Sequence, residues 1–265
     1  MKEGIVNASK SLLKLTGQEI GKKGESSLED AVIFAITHSI IEKADDIQFL
    51  MKNSRYESIE IISRTMLELC VSLKYILKED TEKRALSYFY SYKKQIAKKI
   101  KSTIDIMKEE NILIELTERD LMNLETEVPG VTTLEGYKQY YNDLSTRLYA
   151  KGTNKNNRKK WYDLNGNIGG FRELMVEVDM NEAEYEFFYG IGSLDVHGIN
   201  IIGQITETDG YLAMKSNRDL ELVNIKNSIY LIEGITSVVN YYKISKKKTQ
   251  RYIKLMEINY KQLAK

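Results

Sequence analysis

The chain is poor in the residues that break or cross-link a fold. Its 265 residues include one proline, Pro129, one cysteine, Cys70, one tryptophan, Trp161, and two histidines, His38 and His197. One proline with 16 glycines leaves long stretches free of helix breakers, which argues against a turn-rich β fold. A lone cysteine excludes an internal disulfide framework and fits a reducing compartment. Cys70 stands among Leu69, Val71 and Leu73 and reads as a small buried hydrophobe rather than a nucleophile. With so few histidines and cysteines there is no CxxC, HExxH or HxxxH spacing, and no metal or cofactor is expected.

Long apolar runs are missing too. The longest uncharged one near the N-terminus, Ala31–Ile41, falls well short of the ~20 residues that span a bilayer. The opening M-K-E-G-I-V-N-A-S-K carries charges of both signs and no apolar core, so no signal peptide is expected. Net charge is +1, so bulk electrostatics drives the chain onto neither nucleic acid nor membrane. A cytoplasmic protein without membrane contact is expected.

What is abundant is leucine, isoleucine, lysine and glutamate at helical spacing. This predicts an all-α protein, a helical bundle of seven to nine helices. Helices are predicted over 3–16, from Ser27 to about Met51, and over 55–78, 81–109 and 133–150. Later ones are predicted over 170–178, 182–196, 217–243 and 246–263, and Thr117 with Asp120 opens a shorter one. Ser27 with Asp30 and Ser54 with Glu57 read as capping boxes, and Asp80 and Asn181 as caps. The second and third helices are apolar almost all round, so both should be central. Residues 17–27 read as a connector, 151–160 as a basic, asparagine-rich exposed loop, and I-T-E-T at 205–208 as a short extended piece. The organisation expected is one domain over 1–265, with 110–165 as an insertion or lid.

Two pairs of polar residues stand out inside apolar helical stretches. Arg64 and Glu68 lie in I-I-S-R-T-M-L-E-L-C-V-S-L, and Ser193 and His197 in Y-G-I-G-S-L-D-V-H-G. A separation of four places each pair on one helix face. Leaving one partner of a buried ion pair alone costs about 3–5 kcal/mol, so such groups need neighbours. Extending the two stripes adds Tyr75 to the first and Tyr189 to the second. The stripes are therefore expected to face each other as one interior cluster. As a catalytic site, His197 would be the general acid or base with its imidazolium stabilised by Glu68. Arg64 would hold a phosphate or carboxylate, with Tyr75 and Tyr189 as further substrate contacts. Ser193 would be a nucleophile, although no G-x-S-x-G surrounds it, and Asp195 lies on another face. As a structural cross-link, Arg64 and Glu68 would simply pair along their own helix and fix its register.

Other features read more plainly. His38, beside Thr37 and Ser39, suits a core or boundary histidine. The tyrosines Tyr88, Tyr90, Tyr92, Tyr137, Tyr140 and Tyr141 suit amphipathic contacts between helices, with base stacking as the alternative. The basic clusters around Lys93–Lys101, Lys151–Lys160 and Lys246–Arg251 suit solvated faces, with nucleic-acid contact as the alternative. N-G-N-I-G-G at 165–170 is neither a P-loop nor a dinucleotide fingerprint.

The stretch R-T-M-L-E-L-C-V-S-L-K-Y-I-L at 64–77 resembles the R-[ST]-x-x-E helix of an uncharacterised, mostly helical bacterial family, a domain of unknown function. K-W-Y-D at 160–163 and S-L-D-V-H-G at 193–198 look like that family's tryptophan segment and S-x-x-x-H-G motif. The resemblance covers about 30–200 and marks Arg64, Glu68, Ser193 and His197, without an activity. A looser likeness is to HEPN-type proteins, helical bundles that often act as ribonucleases in toxin and antiphage systems. Their arginine and histidine stand four to six residues apart on one helix. Here no arginine lies within six residues before either histidine, so such a pair would have to form between helices.

Two readings of function stay open. One is an enzyme acting on RNA or a nucleotide, toxin- or defence-related by analogy. The other is a binding module for a small anionic ligand or a protein partner, or a homo-oligomeric helical protein. Both share the architecture, which circular dichroism tests directly. A spectrum dominated by helix is expected, and one dominated by strand would refute the fold reading.

Overall fold

The computed structural model describes residues 3–22, 24, 26–55, 58–110, 127–149, 160–190, 205–208, 211–214 and 220–263. Nine helices and one hairpin form among these residues, and the protein is an all-α bundle. The first four helices are α1 (Glu3–Gly21), α2 (Leu28–Lys52), α3 (Ile59–Lys78) and α4 (Thr81–Glu109). Then come α5 (Leu134–Thr146), α6 (Phe171–Glu177) and α7 (Glu182–Glu184), which runs on as a π-helical turn, Tyr185–Gly190. The hairpin of β1 (Ile205–Thr208) and β2 (Tyr211–Met214) precedes α8 (Glu221–Tyr241) and α9 (Lys246–Leu263). Its register pairs Ile205 with Met214 and Thr208 with Tyr211. No helix among the described residues is long and apolar enough to cross a membrane.

The chain divides into two compact units, Met1–Asp80 with Phe171–Lys265, and Thr81–Gly170. Of the 110–165 stretch, residues 111–126 and 150–159 lie outside the described residues, including the helix expected at Thr117 and most of the basic loop.

In the first unit α2 is the hub, packed by α1, α3 and α8. It buries Ile33, Ile36, Ile40 and Ile47, while α3 and α8, which pack on it, bury Leu67, Val71 and Ile76 and Leu231, Ile235 and Val238. Neighbour pairs give the helix directions. Gly17 lies against Phe34 and Lys10 pairs with Asp45 at 2.6 Å, so α1 and α2 are antiparallel. Gly234 lies beside Ile40, and Tyr242 donates to Asp30 at 2.7 Å, so α8 opposes α2. Ser9 meets the Met256 sulfur at 3.4 Å and Glu19 pairs with Lys248, so α9 opposes α1. By contrast, α3 and α8 are parallel: Asn227 donates to Ser63 at 2.7 Å, Cys70 to the Tyr230 carbonyl at 3.6 Å, and Lys74 pairs with Glu233 at 2.6 Å.

The second unit is built on α4 and α5, which are antiparallel, since Lys94 meets Ser145 and Lys101 meets Glu135. Ala97, Val128, Leu134, Tyr137 and Tyr141 form its core. Tyr137 donates to Glu127, which also pairs with Lys93. Trp161 packs edge-on against Tyr88 with centroids 4.8 Å apart, and Ser87 donates to its carbonyl at 2.7 Å. Buried Asp163 accepts from the Ile168 N–H at 2.9 Å, which closes the N-G-N-I-G-G loop. The expected role of tyrosine as an amphipathic contact holds for Tyr137 and Tyr141, whereas Tyr92 faces solvent.

Helix ends explain where sequence and structure part. Ser27 accepts from the Asp30 N–H and Asp30 from the Ser27 N–H, so α2 starts at its capping box. Burial pushes the Asp30 carboxyl up, but the bonds from Tyr242 and Ser27 outweigh it and leave it below its ordinary value. The 17–27 connector begins later than expected. Ile20 extends the apolar stripe of α1, and a side chain at Gly17 would sit 3.2 Å from the Phe34 ring.

Ser54 does not cap α3. It takes φ +54°, where its N–H donates to Met51 and that of Arg55 to Leu50, a Schellman motif closing α2. The third helix therefore starts at Ile59, with Glu57 of the expected box outside the described residues. Asp179 (φ +60°) closes α6 and Lys243 (φ +53°) closes α8 in the same way. Each is a left-handed position without glycine. That conformation costs a side chain roughly 1–2 kcal/mol, partly recovered by the lower backbone entropy of the unfolded chain. Exposed Lys243 is the simplest to relieve. Lys243→Gly should stabilise the protein by about 0.5–1 kcal/mol in urea denaturation, and a loss of stability would show that its side chain holds the corner.

Candidate functional site

The local fold around the α6–α7 corner assembles the site. Four residues after α6 ends, Asn181 caps α7 by accepting from the Glu184 N–H at 2.8 Å. This abrupt reversal sets the start of α6 beside the turn that follows α7. Of the α-helix expected over 182–196, Glu182–Glu184 are α-helical and Tyr185–Gly190 form a π-helical turn, while 191–196 lie outside the described residues. Such wider turns often mark functional positions. Here the turn stacks Tyr185 on Tyr189 at 5.0 Å and 22°, and Phe171 of α6 stacks on Tyr189 at 4.8 Å and 30°. Arg172 lies over the Tyr185 ring at 5.5 Å and pairs with Glu182 and Glu186.

Arg64 of α3 meets this aromatic group. Its guanidinium carbon is 4.3 Å from the Tyr189 ring centroid, and its Nε donates to Glu68 Oε1 at 3.2 Å. The arginine side chain is 17% exposed and the glutamate 42%. An ion pair that open contributes about 0–1 kcal/mol, whereas a partly desolvated cation over a ring reaches up to about 2. The ring contact therefore holds the guanidinium more than the carboxylate does. The pair along α3 is the one expected from the sequence, but its principal neighbour is Tyr189. Arg64 Nη1 is buried and has no hydrogen-bond partner among the described residues.

Tyr75, on the same stripe, is 3% exposed and sits in the core. Ser193 and His197 lie outside the described residues, and with them the expected convergence of Arg64, Glu68 and His197. Cys70 is buried, and burial raises its thiol well above the ordinary range, so it is held as the inert thiol. His38 is not the core or boundary histidine expected: its side chain is 65% exposed, 3.9 Å from Glu42, on the outer face of α2. Among the described residues no three His, Cys, Asp or Glu side chains come together as metal donors.

Several neighbours were not anticipated. Asn227 of α8, fully buried, donates to Ser63 beside Arg64, and its Oδ1 lacks a partner among the described residues. Lys226 pairs with Glu184 at 2.7 Å and so ties α7 to α8. Burial, and next the Glu184 charge, push the Tyr230 phenol above its ordinary range. One further step back along the second stripe, from Tyr189 to Tyr185, would have extended the aromatic group. Phe171 and Arg172 carry no such signal, because the corner that brings them in is a backbone event.

If ring contact dominates, the two partners of Arg64 should weigh differently. Tyr189→Leu should lower stability by roughly 0.5–2 kcal/mol, and Glu68→Gln by less than about 0.5, in urea denaturation. The reverse order would return the main role to the ion pair.

The model of a family described as a family of unknown function (DUF5677) matches residues 30–210, a span that contains every residue of the two stripes. No curated protein and no solved structure matches the chain.

Proposed function

The chain belongs to this family of unknown function, and from its own side chains we propose that the Arg64 cluster binds a phosphate-bearing ligand, RNA or a nucleotide. The observation that supports this reading is the buried Nη1 of Arg64, with no hydrogen-bond partner among the described residues. A buried donor left without an acceptor costs about 1–3 kcal/mol, which a ligand oxygen would recover. The planar guanidinium fork suits phosphate, and with Nε on Glu68 and one face on Tyr189 its orientation is already set. Pre-orientation lowers the entropy lost on binding. Half-exposed Glu68 marks the side of the pair that solvent reaches.

Turnover is the role assigned to His197 and Ser193, which follow Tyr189 at successive intervals of four. On this reading His197 carries the proton and Glu68 orients it. The binding-module reading differs only in dispensing with that step.

Calorimetric titration with adenosine monophosphate and with inorganic phosphate tests the site. Binding is expected in the native chain and is lost in Arg64→Met, with the thermal transition of the variant retained. Absence of binding to either anion by the native chain would overturn the proposal. His197→Ala separates the two modes: it should abolish RNA cleavage while keeping nucleotide binding if the chain is an enzyme.

A further inference from the structure

Among the lysines of the α4–α5 pair, Lys94 is set apart by its partner. Lys93 pairs with Glu127, and Lys101 and Lys138 pair with Glu135. The Lys94 amine instead donates to Ser145 Oγ at 3.0 Å, a hydroxyl on a residue 2% exposed. No carboxylate among the described residues lies within ion-pair distance of it. The ionisable groups one turn away on α4 are Tyr90 and Lys98, and those near Ser145 in sequence are Tyr141 and Asp143 of α5 and Arg147 at its C-cap. Glu127, an acid of the same unit, is already engaged by Lys93 and Tyr137.

An ammonium in this position gives up water without gaining a counter-charge. Burial accordingly lowers the Lys94 amine below the ordinary lysine range. A larger neutral fraction makes a lysine a better nucleophile at a given pH, as in enzymes that desolvate a reactive lysine. The bond to Ser145 holds the amine in one place on the α4–α5 seam.

We propose that Lys94 is a site of covalent acylation, taking its acyl group from an activated donor such as an acyl phosphate or a thioester. The neutral nitrogen attacks the carbonyl carbon, a C–N bond forms, and the C–O or C–S bond breaks. Phosphate or thiolate leaves with the bonding electron pair, and the surplus proton of the nitrogen passes to water. The product amide has no charge to desolvate, so the position that disfavours an ammonium favours the acylated form. This site is independent of the Arg64 cluster and stands or falls separately.

Acetyl phosphate is the probe. The full chain is incubated with it near neutral pH and in alkaline buffer, and acetylation at each lysine is followed over time by peptide mass spectrometry. Near neutral pH, Lys94 should react several-fold faster than exposed Lys98 and Lys108, and its lead should shrink in alkali as the others deprotonate. In urea the lead should vanish. A Lys94 rate at or below those of Lys98 and Lys108 would overturn the proposal, and so would a lead that survives unfolding, because it would then come from local sequence.

Discussion

Parallel helices cannot be joined by a tight turn, and the parallel pairing of α3 with α8 is the constraint on which the rest of this structure depends. The contacts Ser63–Asn227, Cys70–Tyr230 and Lys74–Glu233 advance together along both helices. The chain must therefore travel a long way before it can return to the side of α3. It uses that length for the whole second unit, then for the α6–α7 corner and the hairpin. The long crossover is thus a consequence of how α2 is covered: α3 and α8 both pack on it, and α8 opposes it.

The same pairing carries the polar groups. Ser63 and Asn227 meet in the seam itself, and α7 with the π-helical turn that follows it is tied to both helices, by Glu184 of α7 to Lys226 of α8 and by Tyr189 of the turn to Arg64 of α3. An aromatic face can hold a guanidinium without consuming its donors, which a carboxylate cannot do. That is why Arg64 can be well fixed and still keep a buried donor nitrogen unmatched among the described residues. Fixed geometry with unspent hydrogen-bonding capacity is the physical basis for reading this cluster as a binding site.

Much of this was legible in the chain. The extents of α4 and α9 follow from apolar spacing alone, and α2 begins where Ser27 and Asp30 form their reciprocal cap. The Arg64–Glu68 pair follows from an interval of four on one helix. The errors cluster at helix ends. Ser54 has the composition of a cap but serves as the left-handed residue that closes α2, a role usually filled by glycine. Asp179 and Lys243 repeat that substitution, so the stops at α6 and α8 carry no glycine signal.

By itself the sequence determined the all-α class, the scarcity of metal donors and the polar stripe of α3, because these depend on residue type and on periods of a few residues. Only the tertiary structure decided which groups meet across that stripe. The contact of Arg64 with Tyr189 joins residues far apart in the chain, through a corner at Asp179 and Asn181 and a wider helical turn. Backbone reversals and a change of helical pitch alter which face a side chain presents, and a pattern read at constant pitch does not contain that information.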